Sequence, residues 1–355
     1  MIQRSIQRKV KDMSSISFKP KNITKKLLSA LSPRAQDVLT KRYGLDSDLE
    51  SHTLEAIGQI YGITRERVRQ IENHAIASIQ KSDTYKEFLE SFEELCVAVA
   101  ELGTVIAEQQ LLGALTKDAV NKNHLFFMLV LGTPFTRKKE DDDFHHRWFV
   151  EEDVADEVEK ALSKIHANLE EDELLSEEDI LKSFVEHLDE EVAKNYDEDT
   201  LRRWLSLSKK IARNPLGEWG ASSSPNVRAK GIRDFAYLAV KRHGSPMHFR
   251  EVAKAIEALF AREAHIATCH NELIKDKRFV LVGRGLYALT EWGYSAGVVK
   301  DVLREILKKE GALSRNEIID KVRKERYVKD NTIIVNLQDV ALFRKLPDGR
   351  YTLVE

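Results

Sequence analysis

The sequence predicts a mainly α fold, in which a helix-turn-helix is followed by a tandem array of small winged-helix domains. Three observations lead there. Residues 32–82 show apolar positions at helical spacing, broken by capping residues and glycine stops. From about residue 85 a unit of helix, short strand, helix, helix and strand pair recurs roughly every 60–70 residues. Each unit closes on a strand bearing a large aromatic: Trp148, Trp219, Tyr287 and Tyr351.

Composition sets the outer limits. The chain has 355 residues, 42% hydrophobic and 32% charged, with two cysteines, Cys96 and Cys269. That is globular composition for about two to three ordinary domains. Two cysteines are too few for a disulfide framework or a structural zinc site. No apolar run reaches the ~18 residues of a membrane span, and no apolar core follows the basic N-terminus as in a secretory signal. A cytoplasmic protein with no membrane partner is expected. The net charge of −2 conceals strong segregation. Residues 1–30 carry 8 basic and 1 acidic side chain, residues 140–200 carry 5 and 24, and residues 201–355 carry 30 and 18. Nucleic acid is drawn to the ends and repelled by the middle.

Taken in order, residues 1–25 lack a sustained apolar period and are expected to form a basic flexible arm. Residues 26–84 hold the helix-turn-helix. "LSPRAQDVLTKRYG" is a helix with Ser32 as N-cap, Pro33 at the first position and Gly44 as stop. "TLEAIGQIYG" follows, with Thr53 as N-cap and Gly62 at its exit. "TRERVRQIENHAIASIQKS" is capped by Thr64, and places Val68, Ile71, Ala75, Ile76 and Ile79 on one face. Two helices joined by a tight glycine turn make a helix-turn-helix.

The winged-helix units are expected at 85–152, 153–220, 227–294 and 295–355, the second of them acidic. The third has its strand pair in "RFVLVGRGLYALTEWG", with "GRG" at the tip. In the fourth, Ser314 and Glu317 have capping-box spacing, and "PDG" marks the last turn. "GASSSPN", residues 220–226, reads as a linker between the acidic and basic halves.

The stretch 32–82 closely resembles region 4 of the housekeeping-type bacterial sigma factors, through "TLE-IG---G-TRERVRQIE" in residue type, spacing and order. The resemblance covers close to a seventh of the chain. It implies a helix-turn-helix that binds the −35 promoter element of double-stranded DNA and the flap of bacterial RNA polymerase. It implies base contacts by Arg65, Glu66, Arg69 and Gln70, and backbone-phosphate contacts by Thr53, Thr64 and Arg67. Physical chemistry agrees. A recognition helix places its first residues at base edges in the major groove. Arg grips guanine, Glu accepts from cytosine and Gln pairs with adenine. The other reading of the same residues is docking to polymerase with little base readout. Only about 30 residues precede the motif, and they lack the aromatic-rich region that captures the downstream element, so the chain is not expected to melt promoters alone.

"GSPMHFREVAKAI" and "HNELIKDKRFVLVGRGLYALTEWG" look like the HARE-HTH winged-helix family, which includes the N-terminal domain of the bacterial RNA polymerase delta subunit. In that likeness Arg278 and Arg284 are backbone contacts to DNA. Solvation of a hairpin tip by Arg284, or a protein-contacting role for the unit, remains open.

Other constellations are set aside. His145 and His146 lie beside Asp141, Asp142 and Asp143, but neighbours on a strand face opposite ways, so no metal is expected. His248 and His265 are too far apart for a helical pair. Phe126, Phe127, Met128 and Trp148 read as core rather than a stacking platform. No phosphate loop, nucleophile elbow or Cys–His pair appears, so neither an enzyme nor a cofactor is expected. A nucleoid-associated transcription factor is the expectation. Its target, its oligomeric state and the sign of its effect stay open.

Overall fold

The computed structural model describes residues 16–294 and 299–354. The chain is mainly helical and divides into two compact units, Met1–Glu170 with Glu177–Ala212, and Glu171–Ser176 with Arg213–Glu355.

The first unit begins with α1 (Pro20–Ser29), α2 (Pro33–Tyr43), α3 (Leu54–Tyr61), α4 (Arg65–Lys81) and the single turn α5 (Asp83–Lys86). The expected flexible arm therefore needs correction. Its residues 1–15 lie outside the described residues, but residues 20–25 belong to a helix. Pro20 sits at its first position, and Ile23, Leu27 and Leu28 form a short buried stripe. The stripe spans too few turns to show as a sustained period. Ser32 stands at the start of α2 in extended conformation, yet its side chain makes no capping hydrogen bond; Pro33 carries the start instead. Gly44 and Gly62 end their helices in left-handed conformation, at φ 59° and 63°.

Next come α6 (Leu89–Glu101), β1 (Val105–Ala107), α7 (Glu108–Leu115), α8 (Ala119–Leu131), β2 (Thr136–Lys138) and β3 (Arg147–Phe149). The three strands form an antiparallel sheet in the order β1-β3-β2. The elements of this part run in the order helix–strand–helix–helix–strand–strand. Phe127 and Met128 are fully buried and Trp148 nearly so, its indole N–H donating to Glu108 at 2.9 Å, in line with a core role. Helices α9 (Glu152–Asn168), α10 (Glu177–His187), α11 (Glu190–Asn195) and α12 (Glu198–Leu205) carry the acidic segment. Their acidic side chains lie mostly outward, while Val158, Leu162, Ile180, Phe184 and Trp204 are buried. Trp204 donates to the carbonyls of Gly103 and Val105, which fastens α12 to β1. Strand β4 (Ile211–Arg213) spans the division between the units.

The second unit contains β5 (Trp219–Ala221), then α13 (Ile232–His243), β6 (Met247–His248), α14 (Phe249–Phe260), α15 (Ile266–Lys275), β7 (Phe279–Gly283) and β8 (Leu286–Leu289). Sheet order β6-β8-β7 repeats the order β1-β3-β2, with the last strand of each set in the middle. Then follow α16 (Val299–Glu310), α17 (Arg315–Glu325), α18 (Asp330–Leu337) and the hairpin β9 (Phe343–Lys345), β10 (Tyr351–Leu353). Ser314 and Glu317 make the capping box in both directions. The residues 220–226, read from sequence as a linker, are instead packed. Ser224 and Asn226 are buried, and both donate to Asp172, at 3.0 and 3.4 Å. Serine and asparagine favour turns, and here the turn satisfies its polar groups internally.

The recurring aromatics share one position in the architecture. Trp148 pairs with Ile106, Trp219 with Leu175, Tyr287 with Met247 and Tyr351 with Leu313, each antiparallel. In each case the aromatic sits opposite a short extended segment 38–44 residues earlier in the chain. Each recurrence thus closes on an aromatic cross-strand pair, which stabilises small sheets well.

Candidate nucleic-acid interface

Three side chains form a small core between the helices of the turn: Val38, Ile57 and Val68 are fully buried, with Leu54, Tyr61, Ile63 and Ile71 packed around them. The turn is held by backbone geometry. Ile63 N–H donates to Gly58 O at 2.9 Å. A Cβ on Gly58 would lie 2.6 Å from Ile63 O, so only glycine lets α3 meet the chain entering α4 this closely. Thr53 accepts from Ala56 N–H at 3.1 Å and Thr64 from Arg67 N–H at 3.2 Å. Both threonines therefore act first as helix caps, and each hydroxyl proton remains to donate outward.

With Val68 inward, Arg65, Glu66, Arg67, Arg69 and Gln70 are all exposed on the first two turns of α4. Four of them are paired with one another. Arg69 grips Glu66 through two bonds, at 2.9 and 2.7 Å, and Arg67 donates to Gln70 Oε1 at 3.0 Å. The hydrogen bond from Arg69 holds the Glu66 carboxyl below its ordinary range, so Glu66 is an acceptor-only anion at neutral pH. These pairs are half exposed, hence weak and exchangeable for base or phosphate partners.

Behind this face the helices are tied. Buried Glu72 of α4 accepts from Tyr43 Oη at 2.8 Å and Arg42 Nε at 3.3 Å, and Arg42 also donates to His52 O at 3.1 Å. Burial first, and then the Glu72 carboxylate, push the Tyr43 phenol upward, so it stays a protonated donor. One network thus joins α2, α4 and the loop leading into α3.

Sequence reasoning missed a further support. Helix α8 covers the apolar side of the helix-turn-helix. Asn123 Nδ2 donates to Gly44 O at 2.8 Å and to Leu49 O at 3.2 Å. His124 Nδ1 and Thr24 Oγ1 share a 2.6 Å hydrogen bond, and the rings of Phe127 and Tyr43 lie 4.9 Å apart. Gln80 donates to Leu131 O at 2.9 Å. Burial and the nearby Lys21 and Lys25 lower His124 to about 4, so it is neutral at physiological pH. A signal for this existed: "HLFFMLVL" is apolar on every face, and such a helix is buried all round.

The two arginines expected to contact DNA from the third recurring unit differ. Arg284 is exposed at the hairpin tip. Arg278 is engaged within the chain, donating to Asp276 at 2.6 Å, Asp234 at 3.0 Å and Asn226 at 3.1 Å, so its donors are already committed. His146 Nδ1 accepts from Glu140 N–H at 2.8 Å. Among the described residues no group of three His, Cys, Asp or Glu side chains is placed to hold a metal, and no helix is long and apolar enough to cross a membrane.

A helix-turn-helix with an exposed, arginine-rich start to its second helix defines the class of this domain. Residues 27–81 match the family model "Sigma-70, region 4". Over the same part, the chain is 49% identical across 67 residues to RNA polymerase sigma factor SigA of Nostoc sp., covering 18% of this chain and 17% of that protein. It is 42% identical across 72 residues to RNA polymerase sigma factor RpoD of Neisseria gonorrhoeae, covering 19% and 11%. With SigA of Listeria monocytogenes the figures are 43% across 67 residues, 18% and 18%. The N-terminal module is thus a sigma-70 region 4 domain. The matches span less than a fifth of this chain and of each of these relatives.

Proposed function

We propose that this chain is a DNA-binding transcription factor that works with bacterial RNA polymerase at the nucleoid. Its region 4 domain reads a promoter-like element of the −35 type. Arg65, Glu66, Arg69 and Gln70 contact base edges, while Thr53, Thr64 and Arg67 contact the phosphate backbone. One observation carries the reading: Arg65, Glu66, Arg67, Arg69 and Gln70 emerge together from the first turns of α4, exposed, on a helix whose opposite face is fixed by Val38, Ile57 and Val68.

In this reading the four recurring units, 85–152, 153–220, 227–294 and 295–355, are winged helices. The third is of the HARE-HTH type, like the N-terminal domain of the polymerase delta subunit. Arg284 is available there for a phosphate; Arg278 serves the fold. The second reading has the region 4 domain docked on the polymerase flap, competing with sigma factors and reading little sequence. The exposure of Arg65, Glu66, Arg69 and Gln70 together on α4 favours the first.

Selection of bound duplexes from a random pool, with and without core polymerase, tests the proposal. Enrichment of one motif by the chain supports it. A flat pool, with polymerase capture that depends on residues 32–82 but survives Arg65→Ala and Glu66→Ala, supports the flap reading instead.

A further inference from the structure

The third winged-helix order, residues 232–289, contains an open groove of about 750 Å³ beside α15. Its floor is a stack of rings. His248 lies 4.4 Å from Phe249 at 32°, and Phe249 lies 4.2 Å from His270 at 21°. Tyr287 meets His270 edge-on at 5.9 Å. Two apolar side chains stand out beside the rings: Ile274, four residues after His270 on α15 and 62% exposed, and Leu281 of β7, 49% exposed. Arg250, at the start of α14, and Arg284, at the hairpin tip, line the same groove, and no carboxylate does.

The groove differs from a duplex-reading surface. A third helix that enters the major groove needs cations to meet the flanking phosphates. Helix α15 carries one, Lys275 in its last turn, and exposes Ile266 and Ile274. The hairpin is also held from outside, because Tyr327 N–H donates to Val282 O at 2.9 Å and the Arg326 guanidinium donates to Leu281 O. That pairing occupies the edge of β7 on which an extended peptide would add as a strand.

Flat rings, apolar walls and two exposed guanidiniums, that of Arg250 lying 5.9 Å from the centre of the Phe249 ring, are the components of a single-strand site. We propose that this groove binds single-stranded nucleic acid. An unstacked base lies on the His270–Phe249 rings between Ile274 and Leu281, and its flanking phosphates meet Arg250 and Arg284. The site shares no residue with the duplex-reading face of α4 and does not depend on it.

The test uses the full chain and a fluorescent oligothymidylate of ~12 nucleotides, a length within the range one small binding domain covers, read by anisotropy. An iodouracil-substituted copy is photo-crosslinked to the unmutated chain, and the crosslinked peptide is mapped. Crosslinks are expected within residues 248–287. His270→Ala is expected to weaken binding roughly 5- to 150-fold, the range for one lost stacking platform. Arg250→Ala with Arg284→Ala, both at exposed positions, reduces the salt slope by ~0.7 for each lost phosphate contact. Arg65→Ala with Arg69→Ala leaves oligothymidylate binding unchanged while removing duplex preference, which separates this site from the region 4 proposal. Crosslinks confined to other segments, or oligothymidylate binding indifferent to Arg250→Ala with Arg284→Ala, would overturn the proposal. So would a polyglutamate peptide that binds tighter than the oligonucleotide and loses affinity on the same substitutions; the groove would then belong to an acidic protein partner.

Discussion

Asn123 offers a sharp test of how the reading face is held. It lies on α8, outside the region 4 domain, and its amide donates to Gly44 O at 2.8 Å and Leu49 O at 3.2 Å. Those carbonyls bracket the loop that delivers Thr53 and α3. Asn123→Ala deletes both bonds. A neutral hydrogen bond contributes about 0.5–1.5 kcal/mol net, so the loop loses about 1–3 kcal/mol of local order. If the loop must be ordered for α3 to seat on DNA, duplex affinity falls by up to the same free energy, roughly 5- to 150-fold. Asn123→Asp is worse, because it points a carboxylate at two carbonyl oxygens. Hydrogen exchange of residues 44–53 and anisotropy with a selected duplex measure the two effects on one sample. Unchanged exchange in the loop would refute the buttressing role. Faster exchange with unchanged affinity would refute the link between loop order and DNA binding.

Other expectations follow from the same geometry. Ile57→Ala empties the middle of a three-residue core and costs about 2–5 kcal/mol; hydrogen exchange should show the loss concentrated in α3 and the start of α4, with α6 spared. Arg67→Ala should lower duplex affinity evenly across sequences and reduce its salt slope by ~1, read from anisotropy titrations at several salt concentrations. Arg278→Ala should destabilise the second unit by about 3 kcal/mol, the low end for removing one partner of a buried pair, since Arg278 is 27% exposed. Thermal unfolding reads that loss, while duplex affinity stays the same. The pH dependence has a definite sign. Burial alone raises the Asp276 carboxyl, but the hydrogen bonds and charge of Arg278 outweigh it and hold Asp276 below its ordinary value. This stabilisation is complete above the unfolded carboxyl pKa, near 4, and is lost as pH falls through the lower folded value. In Arg278→Ala that acid-dependent loss should flatten.

Much of this architecture is legible in the residues, for identifiable reasons. Caps, glycine stops and apolar spacing are local, so Thr53, Gly62, Thr64 and Val68 locate the helix-turn-helix without tertiary information. The closing aromatics recur because each packs a small sheet, and so Trp148, Trp219, Tyr287 and Tyr351 mark equivalent strands. What escaped is non-local. Arg278 looks free beside a hairpin, but Asp234, its buried partner, lies 44 residues earlier. Residues 220–226 have linker composition, and only the distant Asp172 turns them into a packed corner. Residues 20–25 look like arm because the partner of their apolar stripe is α8, about 100 residues on.

The central claim is that exposed side chains of α4 read DNA sequence. Its most direct measurement is a random-pool duplex selection performed in parallel with the natural chain and with Arg69→Ala. The claim predicts a single enriched motif for the natural chain, and for Arg69→Ala a motif that keeps its other positions but is relaxed at one, by roughly 5- to 150-fold in discrimination. Two identical motifs, or two flat pools, would contradict it.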